Sequence, residues 1–394
     1  MGYIKINQDK INQEVVEQLK KICPFDAFDY QDAYLSINAA CKLCKLCVNK
    51  GPKGICEFIE EDKVTIDKSE FKGITVYIEQ RENKAHPVAW ELIGKAKELT
   101  KTTKEPLYAI VIGKAVEDLA KQALEYGVDK VFIYQDKSFN DFNVEIYTNI
   151  LVDFQRRIKP NIILFGGTSE GRSFAPRVAA RLKTGLTADC TKLGIKENGD
   201  LIQIRPAFGG NIMAKIHTPN NRPQLATARY KIFDAPQKVK PFGKIIKMDT
   251  LDISKDTNIK LLKSENKPKV KDISDAEIII AIGRAFKKKK DLDLIKPLVE
   301  KLNAEVACTR PLIENGWFDP RKQIGLSGRT VKPKLIINLG ISGAIQYIEG
   351  MKDSELIITV NNDLSNKLFS ISHYSIVGDI YEVIPELNKL FKVN

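Results

Sequence analysis

The sequence predicts an α/β protein built from parallel sheets and preceded by a small cysteine-bearing module. Three observations carry this. From Phe71 onward, short apolar and β-branched runs alternate with longer stretches of helical period, the pattern of strands joined by crossover helices. Two of those runs open into glycine-rich turns, Gly166-Gly167-Thr168-Ser169-Glu170-Gly171-Arg172 and Gly340-Ile341-Ser342-Gly343-Ala344-Ile345-Gln346. Five of the seven cysteines fall within the first 56 residues.

Composition bounds the rest. A chain of 394 residues is too long for one core and implies two or three domains. With 43% hydrophobic and 28% charged residues it has ordinary globular composition. The longest apolar runs, such as 278–282, are strand-sized, so no membrane span is expected. Met1-Gly2-Tyr3-Ile4-Lys5 has no apolar signal core, which makes a cytoplasmic location the expectation. The net charge of +12 comes from lysines scattered through every segment rather than interleaved with aromatics. The lysine run 287–290 reads as the start of a solvated helix. Nucleic-acid binding is therefore not expected, and the basic surface suits an acidic redox partner met in transient encounters. His86, His217 and His373 are isolated, and no motif pairs a nucleophile with a base, so no catalytic residue is assigned.

The N-terminal module is read first. Cysteines in a chain of this kind argue against disulfides, and their clustering points to metal. Cys41-Lys-Leu-Cys44-Lys-Leu-Cys47 has the C-x2-C-x2-C spacing that folds three thiolates around one corner of an iron–sulfur cubane. Cys23-Pro24 fits the fourth position, a cysteine followed by proline, and Cys56 is the rival for it. Residues 1–65 thereby resemble a two-cluster ferredoxin domain reduced to one cluster. Residues 4–11 look like a first half whose own cysteine run is lost, with Ile11 where a ligand would stand. The resemblance implies one [4Fe–4S] cluster on Cys23, Cys41, Cys44 and Cys47. Tetrahedral zinc is the alternative, although zinc sites usually show two C-x2-C pairs rather than a triplet.

In the middle of the chain, strands are expected at 73–78, 108–113, 130–134 and 161–166, with helices near 87–99, 115–126, 144–158 and 174–182. The turn after 166 is anion-friendly, with Thr168 or Ser169 as N-cap and Glu170 in the first turn. Cys190 sits in a strand-like context and reads as a buried apolar residue. The lysine-rich stretch 233–271, with three prolines, reads as a connection between two α/β domains.

The last third carries the chemistry. The apolar run 334–339 turns through glycines toward a helix, leaving unpaired N–H groups that favour a phosphate or pyrophosphate. Ser342 adds a hydroxyl there as N-cap or ligand. Around this turn stand Arg284 after Ile-Ile-Ile-Ala-Ile-Gly, then Cys308-Thr309-Arg310-Pro311 and Ile324-Gly325-Leu326-Ser327-Gly328-Arg329-Thr330. Val360-Asn361-Asn362-Asp363 and Val377-Gly378-Asp379 follow. In this order and spacing the set resembles the FAD-binding domain of the electron-transfer flavoprotein alpha subunit, and the likeness runs from about Phe71 to the end.

The resemblance implies an adenine-nucleotide-hydrolase-like parallel-sheet domain over 71–255, serving as architecture, and a Rossmann-like FAD-binding domain over 270–394. It places Arg310 over the isoalloxazine, where a fixed guanidinium favours anionic reduced forms. It puts Ser327 near flavin N5, flanked by Ile324, Gly325 and Leu326. Arg284, Thr309 and Ser342 fall at ribityl–phosphate positions, with Gly343, Ala344, Ile345 and Gln346 in the same loop. Asn361, Asp379 and the adjoining Ile380 fall at the adenosine end, where a carboxylate suits ribose hydroxyls. Tyr347 stands where the family commonly has a histidine close to flavin O2, and offers a phenol donor instead. Leu326 replaces a common glutamine. Thr168 and Arg172 are expected to be structural. The stretches 177–191 and 205–211 are expected to shape a face toward a beta subunit.

Function follows as expectation from the same resemblance. An electron-transfer flavoprotein beta subunit is an obligate partner. The segments 309–317 and 324–331 look most like the anaerobic, electron-bifurcating branch. There NADH, oxidised at the beta subunit, sends one electron to ferredoxin and one toward a flavin-dependent dehydrogenase acting on an acyl-CoA, an enoyl-CoA or a 2-hydroxy acid. A non-bifurcating carrier with the same cofactors is one alternative. A nucleotide-binding module with a zinc knot is another.

Overall fold

The computed structural model describes residues 2–60, 66–210, 212–250, 253, 257–264 and 272–390. Asn211, much of the connection at 251–271 and the expected domain limits at 65, 255, 270 and 394 lie outside them. The chain forms two compact units, Met1–Ile66 and Asp67–Asn394.

In the first unit, β1 (Gly2–Ile6) pairs antiparallel with β4 (Cys56–Glu60), from Gly2↔Glu60 to Ile6↔Cys56. Helix α1 (Gln13–Ile22) starts where the Asn12 side chain accepts Val15 N–H at 2.9 Å, and it buries Val16 and Leu19. The hairpin β2 (Phe28–Gln31) and β3 (Tyr34–Ile37) follows, then the short α2 (Leu46–Asn49). Ile4, Val16, Leu19, Phe28, Leu35 and Ile55 make a small core that also takes in Cys47 and Cys56.

The second unit begins with β5 (Ile74–Ile78) and a small hairpin, β6 (Gln80–Arg81) and β7 (Lys84–Ala85). Alternation then sets in: α3 (Val88–Thr103), β8 (Leu107–Gly113), α4 (Glu117–Glu125), β9 (Lys130–Gln135), α5 (Val144–Ile158), β10 (Ile162–Gly166), α6 (Ser169–Arg181) and β11 (Leu186–Cys190). A three-stranded antiparallel flap, β12 (Lys192–Ile195), β13 (Leu201–Ala207) and β14 (Ile212–Ile216), precedes β15 (Gln224–Ala228) and β16 (Lys244–Met248). The main sheet runs β11-β15-β10-β5-β8-β9-β16, and its pairings are all parallel. Strands β5, β10 and β15 are buried along their whole length because helices cover both faces.

Two boundaries differ from expectation. The stretch read as connection contributes β16, which pairs with β9 from Lys244↔Lys130 to Met248↔Tyr134. Its lysines hide an edge strand whose Ile246 and Met248 pack on one core face and Ile245 on the other. Helix α6 begins five residues before the expected 174, because Thr168 caps it by accepting Gly171 N–H at 3.0 Å.

The remaining chain builds a second parallel sheet: β17 (Ile278–Ile282), α7 (Lys296–Leu302), β18 (Glu305–Cys308), α8 (Arg310–Glu314), β19 (Leu335–Leu339), α9 (Ile345–Ile348), β20 (Leu356–Asn361), β21 (Tyr374–Val377) and α10 (Ile380–Leu390). Its order is β18-β17-β19-β20-β21, so winding reverses between β17 and β19. Doubly wound sheets leave a crevice at the carboxyl ends of such a strand pair. Among the described residues no helix is long and apolar enough to cross a membrane.

Candidate functional site

The crevice at the β17/β19 reversal is a cleft of roughly 590 Å³, within the range for a cofactor site. Its floor exists because two glycines let backbones touch. Gly283, just after β17, donates its N–H to Leu339 O at 2.9 Å, and a Cβ there would lie 2.1 Å from Gly340 O. Gly340 itself has φ +61°, a left-handed conformation suited to glycine. The turn after it is pinned from beneath: Asn361 Nδ2 and Asn366 Nδ2 each donate to Ile341 O at 2.9 Å. Helix α9 starts only at Ile345, with Ala344 at the N-cap. Ser342 therefore does not cap it and lines the cleft instead.

The walls come from the other strand ends. Arg284 and Ala285 follow β17, Thr309, Arg310 and Pro311 follow β18, and Asn361, Asn362 and Asp363 close β20. The loop from Gln323 through Ile324, Gly325 and Leu326 to Ser327 crosses the opening. Gln323 Nε2 donates to Ser327 Oγ at 2.8 Å, so the hydroxyl proton of this exposed serine is left to donate elsewhere. Arg310 Nε donates to Glu314 one turn along α8 at 2.8 Å, in a pair that is mostly exposed. Cys308, beneath Thr309, is fully buried, and burial pushes its thiol up to about 12.

Of the residues expected to bind cofactor, Arg284, Thr309, Arg310, Ile324, Gly325, Leu326, Ser327, Ser342, Ala344, Gln346, Tyr347 and Asn361 line this one cleft. Gly343, Ile345, Asp379 and Ile380 are not in its lining. Gly343 shapes the turn with φ +72°. Asp379 Oδ1 accepts Tyr381 N–H at 2.9 Å at the start of α10, and Ile380 is in the core. The phenol role expected of Tyr347 is also corrected. Its hydroxyl donates to Asn338 Oδ1 at 2.5 Å, and the residue is 4% exposed, because α9 turns this side chain down onto β19. Sequence reasoning missed Gln323 and Asn366. Their roles depend on contacts four and 25 residues away, for which no local pattern exists.

The first sheet has its own reversal between β5 and β10, and it is filled by acid. Thr168 Oγ1 donates to Glu79 Oε2 at 2.5 Å, and Tyr77 Oη donates to Glu170 Oε1 at 2.7 Å. Burial, reinforced by the charge of Glu79, pushes Glu170 up to about 7, and burial raises Glu79 as well. Arg172 is engaged by Asp189 at 2.9 Å.

In the first unit, Cys23, Cys41, Cys44 and Cys47 all border one small recess, together with Ile4, Phe25 and Phe28. Cys56 is not in that lining; it is buried beside Cys47 in the core, and burial pushes its thiol up to about 12. The cysteine loop is held by Leu43 N–H donating to Cys41 Sγ at 3.4 Å, and Leu43 and Lys45 take left-handed φ of +52° and +60°. Among the described residues no three His, Cys, Asp or Glu side chains are grouped as a single metal ion requires.

Comparison with known proteins agrees with this geometry. Residues 74–252 match the electron transfer flavoprotein domain, and 272–352 match the electron transfer flavoprotein FAD-binding domain. The lactate dehydrogenase (NAD(+),ferredoxin) subunit LctC of Acetobacterium woodii is 53% identical over 98% of this chain and 93% of its own length. The electron transfer flavoprotein subunit alpha of Megasphaera elsdenii is 39% identical over 83% of this chain and 98% of its own. That of Thermoanaerobacterium thermosaccharolyticum is 39% identical over 81% and 97%. The chain belongs to the electron transfer flavoprotein alpha-subunit family.

Proposed function

We propose that this electron-transfer subunit holds one FAD in the β17/β19 cleft. With a beta subunit, it divides the two electrons of NADH between ferredoxin and a flavin-dependent dehydrogenase acting on a 2-hydroxy acid. The observation that carries the FAD site is the convergence of two arginines, a bare glycine turn and Ser327 on one cleft at a sheet reversal. When bound, FAD supplies one- and two-electron chemistry. The chain's part is positional. Arg284 and the Gly340–Ala344 turn would take the phosphates, Arg310 would set a cation against the ring, and Ser327 would donate its free hydroxyl proton. Tyr347 contributes packing, its proton being committed to Asn338. The beta subunit is assigned to the flap carrying Phe208, Ile212 and Met213, which are 79%, 53% and 43% exposed.

The first unit is assigned one [4Fe–4S] cluster on Cys23, Cys41, Cys44 and Cys47, as the exchange point with ferredoxin. Support comes from the shared recess. The LctC relative also matches 98% of this chain, whereas the alpha subunits above match 81–83%. LctC's name motivates the choice of a 2-hydroxy acid, NADH and ferredoxin. The test is anaerobic. The purified complex, with its dehydrogenase, is mixed with NADH and ferredoxin. Ferredoxin should be reduced only when the matching 2-oxo acid is also present, its two-electron reduction drawing the other electron from each of two NADH. Reduction without that acceptor, or no reduction with it, removes bifurcation and leaves a plain carrier.

A further inference from the structure

Arg229 follows β15 in the first parallel-sheet domain, yet its shortest hydrogen bond reaches the flavin cleft of the second. Nη2 donates to Leu326 O at 3.0 Å, and the side chain is 11% exposed. Its contact with Asp189 is longer, 3.7 Å. Asp189 is already served by Arg172 at 2.9 Å, and its own N–H donates to Thr227 Oγ1 at 2.8 Å. Arg229 Nε is buried without a hydrogen-bond partner. Burying a guanidinium is costly, and an ion pair of this length offsets only part of that cost. The bond to Leu326 is thus the contact that specifies where Arg229 lies.

What it fixes is the loop over the cleft. Leu326 N–H donates to Gln346 O at 2.9 Å, tying the loop to the glycine turn, while Arg229 holds the same residue's carbonyl from outside. Gly210 adds a contact, since a Cβ there would lie 3.0 Å from Leu326 Cδ1. Ser327 is next in the chain. We propose that Arg229 is a positioning residue, a cation of the neighbouring domain that clamps the Leu326 carbonyl and so sets where Ser327 stands at the flavin's edge. This rests on the FAD reading above.

The test uses the full chain with its companion subunit, carrying Arg229→Ala, Arg229→Lys or Asp189→Asn. R229A should keep its FAD on purification but release it about tenfold faster on dilution, as loss of one charge-assisted hydrogen bond implies. Its visible flavin circular dichroism should also change. R229K, which keeps a cationic donor, should restore most of both signals. D189N removes the ion pair without touching Leu326, so it should lower the melting temperature and leave both signals unchanged. If R229A does not accumulate, Arg229→Gln is read by the same two measurements. Flavin-replete R229A with unaltered release and dichroism overturns the proposal, as does D189N reproducing the R229A changes. An unaltered complex without FAD defeats the underlying reading instead.

Discussion

Gly283→Ala is the smallest change that should close the cofactor cleft. An added Cβ would stand 2.1 Å from Gly340 O, 2.6 Å from Gly340 C and 2.7 Å from Ile341 Cα. All three are backbone atoms, so no flexible side chain can swing aside. Carbon and oxygen pack at no less than about 3.2 Å, so the two strand ends must separate by about 1 Å. Overpacking of this kind costs about 1–3 kcal/mol. The same separation stretches the 2.9 Å bond from Gly283 N–H to Leu339 O, adding about 1 kcal/mol. A total of about 2–4 kcal/mol should lower the melting temperature by roughly 5–15 °C. Because the displaced atoms are the floor of the cleft, FAD affinity should fall at least about tenfold.

Gly316→Ala serves as the control, since Gly316 has φ +69° with nothing within 4 Å of its Cβ position. It should cost about 1–2 kcal/mol through backbone conformation alone and leave FAD binding intact. The assay is differential scanning calorimetry beside flavin fluorescence titration of the apoprotein complex. A G283A protein that melts with the unaltered one and binds FAD equally would refute the placement of the cofactor over the Gly283–Gly340 contact.

Other consequences follow from single groups. Glu91 is buried, accepts Lys231 N–H at 2.9 Å, and is pushed by burial to about 7. Between 4.5 and 7 the folded form therefore holds more protons than the unfolded form, and the stability it contributes is lost as pH rises through that window. Glu91→Gln should match the unaltered protein near pH 5 and exceed it by up to about 2–3 kcal/mol at pH 8, measured by denaturant melts. Arg310→Gln should lower the flavin midpoint potential by ~30 mV for a two-electron couple, the equivalent of losing about 1.4 kcal/mol, in a spectroelectrochemical titration. Cys44→Ser should lose most of the iron from an anaerobic preparation while Cys56→Ser keeps it. The reverse result would exchange their roles. Tyr347→Phe, which leaves Asn338 Oδ1 without its donor, should cost about 1–3 kcal/mol of stability with little change in flavin potential.

How much of this was legible beforehand depends on the range of the interaction. The strands at 108–113 and 161–166 were visible because fully buried parallel strands are continuous apolar runs. The glycine turn was visible because its residues sit together in sequence. Strand β16 was not, since lysines at its first and fourth positions interrupt the apolar run and more lysines flank it. Tyr347 was misjudged because a four-residue helix, not residue type, decides which way its ring points. Asn366 and Gln323 could not have been found, because each acts through a bond whose partner no periodicity announces. Asp379 shows the opposite difficulty, a residue type that fits two roles. A carboxylate after a strand suits ribose, but it suits a helix start equally well, and here it serves α10.

The two sheet reversals differ in what each offers an anionic cofactor. Topology offers a crevice at β5/β10 as readily as at β17/β19. At the first, the turn's hydroxyl and the neighbouring phenol are spent on Glu79 and Glu170, so neither is left to donate to a phosphate. At the second, the polar groups beneath the turn are neutral amides that both bind the Ile341 carbonyl, Arg284 and Arg310 line the cleft, and the one carboxylate in its lining, Asp363, accepts the N–H and the hydroxyl of Ser365. Exchanging the chemistry at the first site requires removing two half-buried acids, which would leave the hydroxyl protons of Thr168 and Tyr77 without acceptors. The acids therefore occupy the hydroxyls that an anion would need at the first crevice, and the division of labour between the two sheets follows from which reversal gathers two acids and which gathers two arginines.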